Sequence, residues 1–393
     1  MIPKYRKEFN DQFSSENYQK VKDLILEECK MNPLFRISES PIFLSKSFQS
    51  KLESASKSII DQIKKMSDED LQKAIPVNCR VPNDTKKPHF LAIDFGICRD
   101  AIQEISPQLI ELQAFPTLYA FQPFYESIIS KVYPFLNELK TSYPKDEYVE
   151  KLRKLIVANE NPENVILLEI FPEKQKTNID FKVTEDLIGI KTVCLTKVKK
   201  EGKKLYYMDG DKKIPIHRIY NRVIFDELDK IPNLDLAFDF RDEVEVEWVT
   251  HPNWFFKISK YILPKLTHEY IPKSYFLNEF PQEENLNDFV LKPLFSFSGS
   301  GVNLYPKLED LNAIEDKQNY IMQRKVHYEP LFEDIDGDFS KAEIRMMFIW
   351  NSEDENPEWV ANLVRMTKVE MVNVDFNKKD AIWIGSSFAF FEK

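Results

Sequence analysis

The sequence predicts an α+β protein with an internal α/β subdomain behind an N-terminal helical region, and three observations carry that reading. Apolar residues recur at three-to-four spacing through the first 75 residues. Short β-type runs begin at residue 88 and dominate again after 270. Between 165 and 198 a continuous apolar run, an amphipathic stretch and a second apolar run follow one another, the pattern of a βαβ unit. With 393 residues, 43% hydrophobic and 30% charged, the chain is long and apolar enough for two or three packed subdomains, which argues against disorder.

In chain order, helices are predicted from 18 to 32 and from 48 to 66, and Ser67 with Asp70 has the spacing of an N-cap that opens a further short helix. Pro76, Pro82 and Pro88 close this region, taken as 1–87. Strands at 89–97 and 108–115, joined by a helical or loop connection, precede a helical stretch from 120 to 158; the segment 88–159 is one unit. A small α/β unit, 160–250, holds the βαβ start and a hairpin turning at Asp209-Gly210. In the last unit, 251–393, helical periodicity over 251–266 gives way to strands at 271–277, 289–305, 319–326, 341–350 and 358–369.

Several function classes are disfavoured. A net charge of −10 without a basic block argues against nucleic acid or an acidic bilayer as partner. Cys29, Cys79, Cys98 and Cys194 are widely spaced with no CxxC pair, which suits a reducing compartment rather than zinc or a disulfide framework. No apolar run approaches about eighteen residues, and the N-terminus lacks the apolar core of a signal peptide, so a soluble, cytoplasmic protein is expected. The five histidines have no metal spacing, and neither a P-loop nor G-x-G-x-x-G occurs.

The chemistry concentrates in 289-FVLKPLFSFSGSGVNLYP-306. Only eight glycines occur in the chain, yet Gly299 and Gly301 stand here among Ser296, Ser298 and Ser300, between β-type runs. Glycine lets backbone N–H groups approach a phosphate and serine adds donors, although the same chemistry also makes an ordinary hairpin tip. Lys292, on the preceding strand, places an ammonium near the same loop. Downstream, the strand around Gln323 offers backbone groups to a base edge. Glu343 and Arg345 are two apart on a strand and share a face, suited to a surface ion pair or to a metal beside a phosphate. Arg365 adds a cation on the next strand, and Glu111 and Gln113 likewise share a face of theirs.

In their order, Lys292, the serine-glycine loop, Gln323, Glu343 with Arg345, and Arg365 resemble ATP-grasp enzymes. The acid pair that usually ends that fold is missing after Arg365. Asp94, Glu111, Gln113 and Pro116 supply it near the start, which resembles the circularly permuted ATP-grasp group that includes glutathionylspermidine synthase-like ligases. The resemblance covers about 88–370. It implies two lobes holding ATP, a small preceding domain, and an ATP- and Mg²⁺-dependent joining of a carboxylate and an amine through an acyl phosphate. By the same resemblance Lys260, with Lys257 as the alternative, and Lys292 hold phosphates, and the loop 296–301 closes over them. Glu111, Gln113 and Glu343 bind Mg²⁺, Arg345 or Arg365 stabilises the transferred phosphoryl group, and Arg222 contacts substrate. Two other readings stand beside it: a module that binds ATP without turnover, and a small-molecule kinase. Substrate identity and oligomeric state are not encoded in any motif.

Overall fold

A computed structural model describes residues 2–296, 299–370 and 381–393. Helices and one short strand occupy the first 87 residues: α1 (Pro3–Gln12), α2 (Ser15–Cys29), β1 (Ile42–Leu44), α3 (Lys46–Lys65) and α4 (Asp68–Gln72). Ser14, Ser45 and Ser67 each accept a hydrogen bond from the N–H three residues on, satisfying donors that a helix start leaves orphaned. Along α3, Phe48, Leu52, Ala55, Ile59 and Ile63 form one buried stripe.

β2 (Phe90–Arg99) and β3 (Ile105–Gln113) form a hairpin. Its turn is closed by Asp100, whose carboxylate accepts the Ile102 and Glu104 N–H groups. α5 (Phe121–Val132) and α6 (Lys145–Val157) follow. Next come β4 (Val165–Glu169), α7 (Asn178–Ile188) and β5 (Lys191–Cys194), a βαβ unit with β4 and β5 parallel. β6 (Lys199–Glu201), β7 (Lys204–Asp209) and β8 (Lys212–Ile216) make an antiparallel sheet turning at Gly210, φ 58°. β9 (Arg218–Asn221), α8 (Phe225–Leu228) and β10 (Glu247–Val249) return to the parallel sheet, ordered β10-β9-β4-β5.

Two expectations for the last third are corrected. The continuous helix over 251–266 does not form. α9 (Trp254–Lys257) is one turn, Ser259 is extended, and a 3₁₀ segment, Lys260–Lys265, carries Pro264. Ser259 Oγ accepts the Tyr261 N–H and starts this new turn, and proline has no N–H with which to extend an α-helix. The second strand of the 289–305 hairpin is also missing. After β11 (Ser274–Phe276) and β12 (Phe289–Pro293), the returning chain meets β12 only at a single bridge between Leu291 and Asn303. The Asn303 side chain then bonds Asp310 and the Tyr305 N–H, turning the chain into α10 (Leu308–Ala313). The real partner of β12 is β13 (Tyr320–Arg324), in a sheet ordered β11-β13-β12.

The remaining strands are β14 (Phe332–Glu333), β15 (Phe339–Ile349), β16 (Glu358–Thr367), β17 (Gly385–Ser387) and β18 (Ala389–Phe391). They complete a central antiparallel sheet, β17-β16-β15-β2-β3, with β14 attached to β15. β18 pairs in parallel with β1, so the two ends of the chain meet. One hydrophobic core runs from Phe9 to Phe391 through the N-terminal helices and the central sheet; the α/β subdomain has a second. Among the described residues no helix is long and apolar enough to cross a membrane.

Candidate active site

Strand alternation builds the site. Ile344 and Met346 of β15 belong to the hydrophobic core, which leaves Glu343 and Arg345 on the opposite face. Register then carries that face across the sheet: Glu343 lies opposite Arg365, Arg345 opposite Asp94, and Asp94 opposite Glu111. Just before Glu111 the register shifts, leaving Ile110 unmatched, a bulge that re-aims β3 at this point.

Asp94 is fully buried and is consumed by arginine. Its two oxygens accept from Arg345 Nε and Nη2, each at 2.6 Å, and Oδ2 also accepts from Arg365 Nη2 at 2.8 Å. Arg365 bonds Glu343 Oε1 as well, and the Tyr328 hydroxyl donates to Glu343 Oε2 at 3.0 Å. With its amide oriented to satisfy both groups, Gln113 Oε1 accepts from Arg345 Nη1 at 2.9 Å. The planar Arg345 fork meets Asp94 bidentately and Arg365 Nη2 bridges Asp94 and Glu343, which compensates the buried charges.

The lysines divide. Lys260 donates to the Ser296 carbonyl at 2.9 Å and stands 3.6 Å from Glu111 Oε2. Lys257, the alternative, is paired elsewhere, with Asp68 and Asp84, each at 2.8 Å. Lys292 donates to Gln323 Oε1 at 2.5 Å and to the Ile110 carbonyl at 3.3 Å, and Gln323 Nε2 reaches the Leu109 carbonyl at 3.2 Å. Both Lys292 acceptors are neutral, and burial pulls its ammonium down to about 8. Burial by itself pushes the Glu111 carboxyl up, but the combined field of Lys260, Arg365, Lys292 and Arg345 outweighs it and holds the group at about 2. At Glu343 burial wins, with Asp94 and Glu111 adding like charge, and its carboxyl is raised.

Two cavities flank this network, of about 340 and about 270 Å³. Glu111, Lys260 and Arg365 line both and form the wall between them. The smaller is lined by Lys292, Gln323, Glu343 and Tyr328, with Val290 and Val302 as apolar surface. The larger holds Gln113, Arg345, Arg222, Glu169 and Glu227. From the loop, Ser296 faces the larger cavity and Gly299 the smaller; Ser300 and Gly301 are exposed and line neither, and Ser298 lies outside the described residues.

Arg222 is 5% exposed. Its guanidinium lies over the rings of Phe115 and Phe181, at 4.7 and 5.4 Å, and donates to the hydroxyls of Thr117 and Thr177, each at 3.3 Å. Among the described residues it makes no ion pair. Burial lifts the Glu169 carboxyl to about 8 against the field of Arg222, and Glu227 is raised for the same first reason. Glu169 and Tyr328 are site residues that sequence reasoning missed. An acid ending the otherwise apolar run 165–169 was the available signal for the first; nothing local marks the second.

No known family profile matches the chain, and neither does any curated protein. Among solved structures it is similar to a glutathione synthetase-like effector from Globodera pallida in its apo form, with a TM-score of 0.62 at 11% identity and 96% of each chain covered. At that identity the likeness is one of fold: a mixed α/β architecture shared, end to end, with a glutathione synthetase-like protein.

Proposed function

We propose that this protein is an ATP- and Mg²⁺-dependent ligase joining a carboxylate to an amine, built on a circularly permuted ATP-grasp fold in which the nucleotide takes the smaller cavity and the acceptors the larger. The observation that carries the reading is the shared wall: Glu111, Lys260 and Arg365 stand where a terminal phosphate from one side would meet a carboxylate from the other. Lys292 supports it as a buried ammonium bonded, among the described residues, only to neutral oxygens, in a wall that fits a phosphate. Arg222 does the same for the acid substrate in the larger cavity. The likeness in fold to a glutathione synthetase-like protein is consistent with such chemistry.

The donor set fits magnesium in part. Glu111 and Glu343 face one cavity and offer the hard oxygens that Mg²⁺ takes alongside substrate phosphates. Gln113, the third expected ligand, is held by Arg345, and among the described residues no cluster of three His, Cys, Asp or Glu forms a metal site. Magnesium, when bound, offsets charge on the phosphates. Lys260 and Lys292 hold the triphosphate by charge, Gly299 brings loop backbone to the same cavity, and Arg345 and Arg365 fix the acceptor carboxylate in line with the terminal phosphorus. That carboxylate attacks phosphorus and ADP leaves. An amine then attacks the acyl carbon, losing a proton as phosphate departs. Walls on both sides keep water from the acyl phosphate.

The engagement of Gln113 and Glu343 by arginines favours one second reading, a module that binds ATP without turnover. The separating experiment measures ADP and phosphate release with Mg²⁺ against amino acids, short peptides and polyamines, for wild type and Lys292→Met. Acceptor-dependent release, lowered at least about 10²-fold in the variant, is expected of the ligase. Tight ATP binding without release under any acceptor points to the module.

A further inference from the structure

The larger cavity has an aromatic wall with a defined direction. It starts at Arg222, stacked on Phe115. Ring contacts then run unbroken from Phe115 to Phe255 at 6.1 Å, from Phe255 to Phe256 at 5.1 Å, and from Phe256 to Phe295 at 5.2 Å. Phe295 precedes Ser296, whose carbonyl receives Lys260. The rings therefore connect a guanidinium that makes no ion pair among the described residues to the wall shared with the smaller cavity. Phe115, Phe255 and Ile224 line the cavity and, with Phe256 behind them, belong to a hydrophobic cluster separate from the main core, while Phe295, also on the lining, packs against both.

We infer that the molecule held here carries a branched aliphatic or aromatic side chain. It is a short peptide with two carboxylates, one of which meets Arg222 while the other, the reacting one, reaches Lys260 and Arg365, and its apolar side chain lies on the phenyl wall. The orientation rests on the ligase reading above. Glycine would leave the apolar wall wet, and burying such a surface is the main source of discrimination that a hydrophobic pocket has. A polyamine would bring ammonium groups among Arg222, Lys174, Lys260, Arg345 and Arg365, with Glu111, Glu169 and Glu227 as the opposing carboxylates on the same lining.

The test gives the full chain, with ATP and Mg²⁺, the dipeptide of glutamate with leucine, phenylalanine or glycine as the acid, each alone and with glycine or spermidine as the amine, and spermidine alone. ADP release, product mass and melting temperature are read in parallel. The two apolar dipeptides are expected to raise ADP release at least about tenfold above the glycine dipeptide, whichever amine is present. Phe255→Leu, which widens the wall, is expected to move the preference towards larger side chains, and Ile224→Phe, which narrows it, towards smaller ones; either alone suffices if the other does not fold. ADP release with the glycine dipeptide and no advantage for the apolar dipeptides leaves the ligase standing and overturns the side-chain inference. If no dipeptide releases ADP with either amine, the ligase reading fails and the melting temperatures decide: stabilisation by the apolar dipeptides and not by the glycine dipeptide or spermidine upholds the wall's selectivity, and equal or absent stabilisation overturns it.

Discussion

Asp94 accepts three hydrogen bonds from two arginines while fully buried, so the charge that could have been a metal ligand instead fixes the direction of both guanidinium groups. Arg345 holds Asp94 bidentately and Gln113 at the same time, a task for a planar fork that the point charge of a lysine does not perform. Arg345→Lys is therefore expected to lower ADP-forming turnover about 10²- to 10³-fold, with ATP affinity by calorimetry changed less than about tenfold. An equal loss in both would place Arg345 in nucleotide binding alone. Glu169 gives a pH prediction. Its carboxyl sits at about 8 when folded and ionises at about 4.3 when unfolded. Between those values the folded chain keeps a proton that the unfolded chain has lost, so wild type loses stability as pH rises through the window and levels off above about 8. Glu169→Gln has no such proton. Its melting temperature should exceed that of wild type by a margin that widens from pH 5 to 8; a constant margin would mean that Glu169 is ionised in the folded state.

Among the elements, β17 shows how a short strand can control a long segment. Gly385 has φ 109°, and a Cβ there would lie 2.5 Å from the Arg36 carbonyl oxygen, on backbone that cannot swing aside. That carbonyl accepts the Ser386 N–H, and the Ser386 carbonyl accepts the Ser38 N–H, so the N-terminal segment is laced to the edge of the central sheet through this point. Gly385→Ala is expected to destabilise the fold by about 2 kcal/mol or more in chemical denaturation, from backbone strain and displacement together. A change below about 0.5 kcal/mol would show that the lacing is not tight.

At the scale of the molecule, the N-terminal helices are part of the main core rather than a cover over it. Phe48, Leu52, Ile59 and Ile63 of α3 join the same hydrophobic cluster as Ile93, Leu112, Ile344 and Val364 of the central sheet. Each such side chain stabilises by about 1.5–3 kcal/mol on full burial, so the stripe alone rivals the about 5–15 kcal/mol that a domain has in total. With β1 paired to β18 as well, deletion of residues 1–66 is expected to leave the remainder insoluble or without cooperative unfolding by circular dichroism. A truncated chain that still melts cooperatively would make the helices an independent layer.

Local periodicity and turn chemistry determined much without any structure. The stripe of α3, the cap at Ser67, the βαβ run from 165 and the Asp209-Gly210 turn depend on residues at most a few places apart, and they formed as the sequence implied. The helix over 251–266 misled because its apolar spacing was real while Ser259 and Pro264 broke the backbone inside it. Only tertiary structure decided what the polar residues do. Arg345 meets Asp94 across 251 positions and Arg365 across 271, so whether each holds a metal, a phosphate or another side chain depends on strand register that no local pattern encodes. Two cavities share Lys260 for the same reason: the start of a 3₁₀ segment, a β bulge and a loop converge there by packing, and packing is a property of the folded chain alone.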